Sequence, residues 1–497
     1  MDVFQDKDYR HVLYIVTVLV AFITYFYCKY KVKYWERRGV QQLRSTNLLF
    51  GDFKNGVLFR TAPGYHLGEI YREADPDVPY VGFYIFHKPC LLLKDPEIIK
   101  QILIRDFDNF PDRHFAGSQQ KDSIGMINLF GLKNPGWKYL RSKITPTLTR
   151  SKLKQMLPLM LDTGKPMMNY LVDKSDESKI IDVQDVNHRY AGDLIANVAL
   201  GTKTDSFYNA SSDYCKFAEF FHGFKRMVAL VTVFFMPELV RVVGTKMLFD
   251  SSFVRKLFWN AVKSREKHGS KRGDYIDSII QLKNGEQNPV YMFEGDNLLY
   301  QSGTFFSGLE SSSTASAFTL MELAKNIKHQ ERARDDIKKA IKQHGWTVEA
   351  FNDMKYLDKC IAEGLRMHPP ISTIDRRTLE DYKIPGTDII VEKGTPIFIS
   401  LYGLHSDPQY FHEPEVYNPE RFNEDKTISP AYIPFGVGPR NCVGLKLGEL
   451  HVKVVLSMIL SEYEVSQKMD EVNKLDSRST FTAAADGIHI EFKKIIH

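Results

Sequence analysis

The sequence predicts a mainly α-helical chain with a smaller β portion, built as one large domain behind an N-terminal membrane anchor. Three observations predict this. Helical periodicity dominates from about residue 137 to 370 and returns after Cys442. Short strand-like runs with turn residues flank that region, around 40–110 and 382–399. A charge-free run of seventeen residues, Val12 to Cys28, precedes everything else.

The anchor comes first. A membrane span takes about 17–25 apolar residues, and Val12 to Cys28 meets that length. A secretory signal opens basic, whereas this chain opens with Asp2, Asp6 and Asp8 and shows no small-residue cleavage site. Tyr25, Tyr27, Tyr30, Tyr34 and Trp35 suit the interfacial aromatic belt. Lys29, Lys31, Lys33, Arg37 and Arg38 follow, so the positive-inside rule places the body in the cytosol. Residues 1–34 therefore hold a lumenal tip, the span at 12–28 and a basic stop segment. Residues 35–497 form the cytosolic domain. On this topology the sequon Asn209-Ala210-Ser211 stays unmodified.

The body reads as a folded globular chain, with 43% apolar and 26% charged residues. A net charge of +5 gives no basic stripe for nucleic acid. It suits an acidic protein partner or an anionic membrane surface. The cysteines, Cys28, Cys90, Cys215, Cys360 and Cys442, form no C-x-x-C pair and no disulfide framework. A reducing compartment follows.

Tyr80 to Phe86 reads as a strand, and Asn297 to Asn326 as one buried helix about 45 Å long. The charged stretch Lys263 to Tyr275 is the best internal loop. Met227 to Val243 is very apolar and reads either as core or as a segment dipping into the bilayer. Strands and turns return from Tyr382 to Ile399. Leu447, Leu450, Val454 and Met458 share one helical face, and the chain closes on the alternating "GIHIEFKKI".

The residues around Cys442, "FGVGPRNCVG", carry the chemistry. As a nucleophile Cys442 needs a base, and no nearby His–acid pattern supplies one. As core it would be an ordinary buried thiol. It also stands after a glycine-rich loop at the start of a helix, where N–H groups and the helix dipole favour a thiolate. Such a thiolate is a soft metal ligand. The loop is neither a dinucleotide fingerprint nor a phosphate loop.

At these residues the chain resembles the cytochrome P-450 monooxygenases, with Phe435, Gly438, Arg440, Cys442 and Gly444 in register with the haem-ligand signature. The resemblance implies the cytochrome P-450 fold and a haem b (iron protoporphyrin IX) with the Cys442 thiolate as axial ligand. That ligand pushes electron density onto the iron and favours O–O cleavage. "EGLR" and "PERF" are similar to the family's structural triad, here Glu363, Arg366 and Arg421. "WKYLR" supplies Trp137 and Arg141 for the haem propionates, and Arg376, Arg440 and Arg113 match further propionate arginines. "SGLESS" places Gly308, Glu310 and Ser311 where the family relays protons to dioxygen. Ser307 replaces the common alanine there. Ser311 replaces the common threonine, keeping the hydroxyl but losing the methyl that fixes its rotamer. By analogy the substrate pocket takes Phe115, Ile124, Phe305, Phe306, Ile371, Ile374 and Phe481. "YWERRGV", "WKYLRSKITPTLT" and "FFSGLESSST" look most like the insect microsomal family-six group. Relatives usually carry prolines after the anchor, and Val40 to Phe53 has none.

The implied reaction inserts one oxygen atom from O2 into lipophilic small molecules, either xenobiotics such as plant toxins and insecticides or endogenous lipids and hormones. Electrons come from NADPH through a flavoprotein reductase, with a cytochrome b-type protein as a second donor. Lys446 and the Lys138 to Lys143 region would dock the reductase. The implied location is the endoplasmic reticulum membrane. Two other readings use the same loop: a haem-thiolate isomerase or dehydratase of hydroperoxides, and a non-catalytic haem or lipid carrier. The first usually lacks the acid–alcohol pair and needs no reductase. The second would show no uncoupled oxygen consumption.

Overall fold

The computed structural model describes residues 2–44, 46–116, 126–209, 224–243 and 252–495. The helix Asp2–Lys31 is exposed through Val12, Leu19, Phe22 and Tyr27 and is long and apolar enough to cross a membrane. Lys29 and Lys31 lie in its last turn and Lys33, Arg37 and Arg38 follow it, but Trp35 does not sit in an interfacial belt. Trp35 is fully buried in the body, against Gly82, where even a Cβ would meet the indole at 2.3 Å. The Trp35 backbone N–H donates to the Tyr84 hydroxyl at 3.0 Å. The sheet offers an aromatic slot that buries more apolar surface than a membrane interface would. The same docking holds the proline-free segment after the anchor. Gly82 N–H donates to the Gln41 carbonyl at 2.8 Å, and Tyr84 N–H to Asp52 Oδ2 at 2.8 Å.

Nine strands lie among the described residues: β1 Tyr80–Ile85, β2 Lys88–Leu93, β3 Ile180–Asp182, β4 Thr373–Arg377, β5 Tyr382–Lys383, β6 Ile390–Val391, β7 Pro396–Ser400, β8 Tyr463–Ser466 and β9 His489–Lys494. The largest sheet has the order β1-β2-β7-β4, with β2 and β7 parallel and the other pairs antiparallel. A second sheet runs β3-β9-β8, and β5 pairs with β6. The rest is mainly helical, as the periodicity predicts.

The central helix, Asp296–Lys325, organises the core. It packs on the helices Val183–Ala199, Lys355–Met367 and Leu445–Glu462. Gly364 lets one of these approach closely, since a Cβ there would stand 2.4 Å from Thr319 Oγ1. The start of Val183–Ala199 is set by Asp182, whose Oδ1 accepts from Gln184 N–H at 2.9 Å and Ile488 N–H at 3.0 Å.

Two sequence expectations change. The charged stretch from Lys263 is not all loop, because the helix Ser252–His268 runs through its first six residues. Val254, Phe258, Val262 and Arg265 continue one buried face, and Arg265 is paired with Asp274 at 2.8 Å. The apolar segment Met227 to Val243 faces inward along the helix Phe224–Phe235. Met227, Leu230, Val231, Phe234 and Phe235 are buried there, which removes the argument for membrane entry by this helix. Val228 on the helix, and Leu239 and Val242 beyond it, are exposed.

Candidate active site

The loop before the helix Leu445–Glu462 closes on itself. Cys442 N–H donates to the Phe435 carbonyl at 2.9 Å, and Asn441 N–H to the Gly438 carbonyl at 3.0 Å. Gly438 has φ 77°, and a Cβ there would lie 2.1 Å from the Leu103 carbonyl oxygen, so glycine is required. Gly436, at φ 68°, is a second such position that the motif reading passed over. Gly444 caps the helix, three residues before which Cys442 presents its sulfur. Cys442 is accessible at its surface, yet its thiol is closely surrounded by other atoms.

The expected thiolate is only half supplied by the chain. Burial pushes the Cys442 pKa up, and it outweighs the Gly444 N–H, Arg141 and Arg113, which pull it down. Burial penalises the anion more than the helix terminus rewards it. A bound metal ion would reverse that balance, since a coordinating thiol is deprotonated outright.

Beside the loop lies a concentration of buried cations. Arg113, Lys133, Arg376 and Arg440 face two carboxylates, Asp112 and Asp375, while Arg141 faces Cys442. Arg113 meets Asp375 at 3.4 Å, and Arg440 meets Asp112 at 3.3 Å. Arg440 also donates to the Leu132 carbonyl at 2.9 Å and lies over the Trp137 ring at 4.1 Å. Arg141 donates to the carbonyl and side-chain oxygens of Asn441, both at 2.8 Å. Burial, reinforced by Arg113, pulls Arg376 down to about 9 and Arg440 down to about 8. Burial also brings Lys133 to about 8. Guanidinium groups stay charged in proteins, so relief requires an anion rather than proton loss. The buried Arg376 Nε has no hydrogen-bond partner among the described residues. A thiol beside surplus buried cations is the donor set that a dianionic haem requires, and the residues fit it.

On the central helix Gly308 is exposed, and among the described residues nothing lies within 4 Å of where its Cβ would stand. Ser311 Oγ donates to the Gly308 carbonyl at 3.2 Å. Glu310, adjacent in sequence, lies about 100° further round the helix. Its Oε2 meets His188 Nε2 of the helix Val183–Ala199 at 3.0 Å, in a buried contact. The acid and alcohol therefore share a turn but not a face. Motif reading did not include His188, because its partner lies 122 positions away.

Arg366 grips both oxygens of Glu363, at 2.8 and 2.9 Å, and Arg421 Nε adds a bond at 3.1 Å. The Glu363 and Arg366 side chains are wholly buried. Arg366 also donates to the His405 and Pro414 carbonyls, and Arg421 to that of Glu413. These bonds tie the helix Lys355–Met367 to the "PERF" turn.

Of the pocket residues, Phe115 packs on Phe130 at 5.0 Å and on Phe234 at 4.8 Å between centroids. Phe481 meets Phe234 at 6.5 Å, and its backbone bridges Ile371. Ile374 is buried and reaches the cysteine loop at Gly436. Phe130 and Phe234 join this aromatic group without having been expected. The "VFF" end of the apolar stretch was the available signal for Phe234. Ile124 lies outside the described residues, as do the side chains of Phe305 and Phe306, whose backbone belongs to the central helix.

The cytochrome P-450 family model matches residues 55–492. Cytochrome P-450 6k1 of Blattella germanica is 38% identical, across 97% of this chain and 96% of its own. Cytochrome P-450 6l1 of the same species is 37% identical across 87% and 86%. The probable cytochrome P-450 6g2 of Drosophila melanogaster is 33% identical across 96% and 98%. The likeness runs the length of the body and its relatives carry the family-six name, so the chain belongs to the cytochrome P-450 family as a monooxygenase of that group.

Proposed function

We propose that this monooxygenase oxidises lipophilic small molecules, xenobiotic or endogenous, with electrons from NADPH delivered by a flavoprotein reductase on the cytosolic face of the endoplasmic reticulum. The observation that carries the reading is the surplus of buried cations beside Cys442. Haem, when bound, would supply the iron centre at which dioxygen is reduced and split. Cys442 would be its ligand. Arg113, Arg376 and Arg440 would meet the propionates beside Trp137, while Arg141 holds the loop through Asn441. Gly308 leaves room beside the helix, and Ser311 holds a proton at Oγ, directed at the Gly308 carbonyl. Glu310 supplies the acid of the same turn. Phe115, Phe130, Phe234 and Phe481 make an apolar wall that excludes water and favours lipophilic ligands. Exposed Lys138, Lys143 and Lys446 suit an acidic docking surface on the reductase, with a cytochrome b-type donor as a second source.

The test is a carbon monoxide difference spectrum of the reduced protein, wild type beside Cys442→Ser. The wild type should show the thiolate-ligated band and the variant should lose it. A spectrum unchanged by the substitution would refute the ligand assignment. Turnover of a lipophilic panel should then require both NADPH and reductase.

A further inference from the structure

Glu310 has a partner that nothing in the motif supplies. His188 reaches it from the second turn of Val183–Ala199, a helix whose start is fixed by the Asp182 cap. Both residues are buried, at 9% and 3% exposure. We propose that His188 is a positioning residue for oxygen activation: its Nε2–H holds Oε2 of Glu310 and so fixes the charge and rotamer of the acid on the turn that carries Gly308 and Ser311. This rests on the proton-supply reading of Glu310 and Ser311 given above.

A buried carboxylate without a cation takes up a proton and turns from acceptor to donor. Beside imidazolium it rests ionised and locked in place, so it takes up a proton and passes it on rather than storing one. Burial alone would lower the His188 pKa, but the charge and hydrogen bond of Glu310 outweigh it, with help from Asp185 and the Gln184 backbone. Asp185, on the same helix, is itself held by Arg189 at 2.8 Å. The positioning matters more here than with a threonine. Ser311 lacks the methyl that would fix its rotamer, so its hydroxyl takes its direction from the helix turn, through the Gly308 carbonyl. Anchoring that turn at the next residue limits how the turn shifts.

The experiment uses the full-length, haem-loaded enzyme with reductase. The variants are His188→Leu, His188→Ala, His188→Gln, Glu310→Gln and His188→Leu/Glu310→Gln, each first checked for the carbon monoxide band. Two readouts are taken: peroxide released per NADPH consumed, and the carboxyl region of the infrared difference spectrum without turnover. His188→Leu should raise the peroxide fraction several-fold with substrate affinity unchanged. It should also show a protonated-carboxyl band that disappears in the double variant. His188→Gln, which keeps a donor near the Nε2 position, should recover much of the coupling. The double variant should be no worse than Glu310→Gln alone. If His188→Leu fails to fold, His188→Ala carries the same expectations. Wild-type coupling and infrared spectra in the His188 variants, with Glu310→Gln uncoupled, would overturn the role of His188 and leave the relay reading intact. A defect that adds to that of Glu310→Gln would overturn it too. Full coupling in Glu310→Gln would remove the relay reading and this inference together.

Discussion

Arg141 and Asn441 are joined twice, Nη1 to the carbonyl and Nη2 to the side-chain oxygen, each at 2.8 Å. The arginine that the motif assigns to a propionate thus grips the residue before Cys442. A lysine cannot form that fork. Arg141→Lys is expected to loosen the loop by about 1.5–3 kcal/mol per charge-assisted bond lost. Haem retained per chain after gel filtration should fall, and retention equal to wild type would refute the clamp.

Glu363 accepts from two arginines in a wholly buried site. Glu363→Gln leaves those cations without their counter-charge and should destabilise the fold by about 3–5 kcal/mol. Arg421→Lys should be milder, because that side chain keeps 15% exposure. Urea unfolding of the three proteins ranks them, and equal midpoints would contradict the ranking.

Arg376 is a buried cation whose Nε has no partner among the described residues. Arg376→Leu should therefore weaken haem binding, and Arg376→Lys should recover part of it. Haem release to a competing apo-acceptor measures this. An unchanged release rate for Arg376→Leu would exclude contact with the propionates.

Asp52 is half-buried, and desolvation raises its pKa from 3.8 to about 6 against the opposing bonds of Thr46 and the Tyr84 N–H. The folded state then holds a proton that the unfolded chain has already released. Stability is fully present below pH 3.8 and is lost as pH rises through about 6. The loss amounts to about 3 kcal/mol at 1.36 kcal/mol per unit. Asp52→Asn should flatten the stability profile across that window. A profile as steep as wild type would place the titration elsewhere.

Removing residues 1–34 deletes the exposed apolar helix and spares Trp35 in its slot beside Gly82. The shortened chain should move from the membrane pellet to the supernatant and keep its carbon monoxide band. Trp35→Ala should instead destabilise the body by about 3–5 kcal/mol in thermal or urea unfolding. A shortened chain that stays in the pellet would show a second membrane contact.

The sequence by itself determined the helical class, the apolar N-terminal helix, the cysteine loop and the Glu363–Arg366 pair. Each is written in local spacing: a seventeen-residue run, glycines around one thiol, two charges one helical turn apart. The family was legible for the same reason. Tertiary structure alone decided where those side chains point. It turned Trp35 away from the membrane belt, gave Arg141 to Asn441, and raised the Cys442 pKa that the helix start had suggested would fall. It also paired Glu310 with a histidine 122 positions away and put Phe130 and Phe234 beside Phe115. Local spacing encodes periodicity and charge, whereas burial and long-range pairing arise only when helices pack, and the low-dielectric interior they create sets the energies of the site.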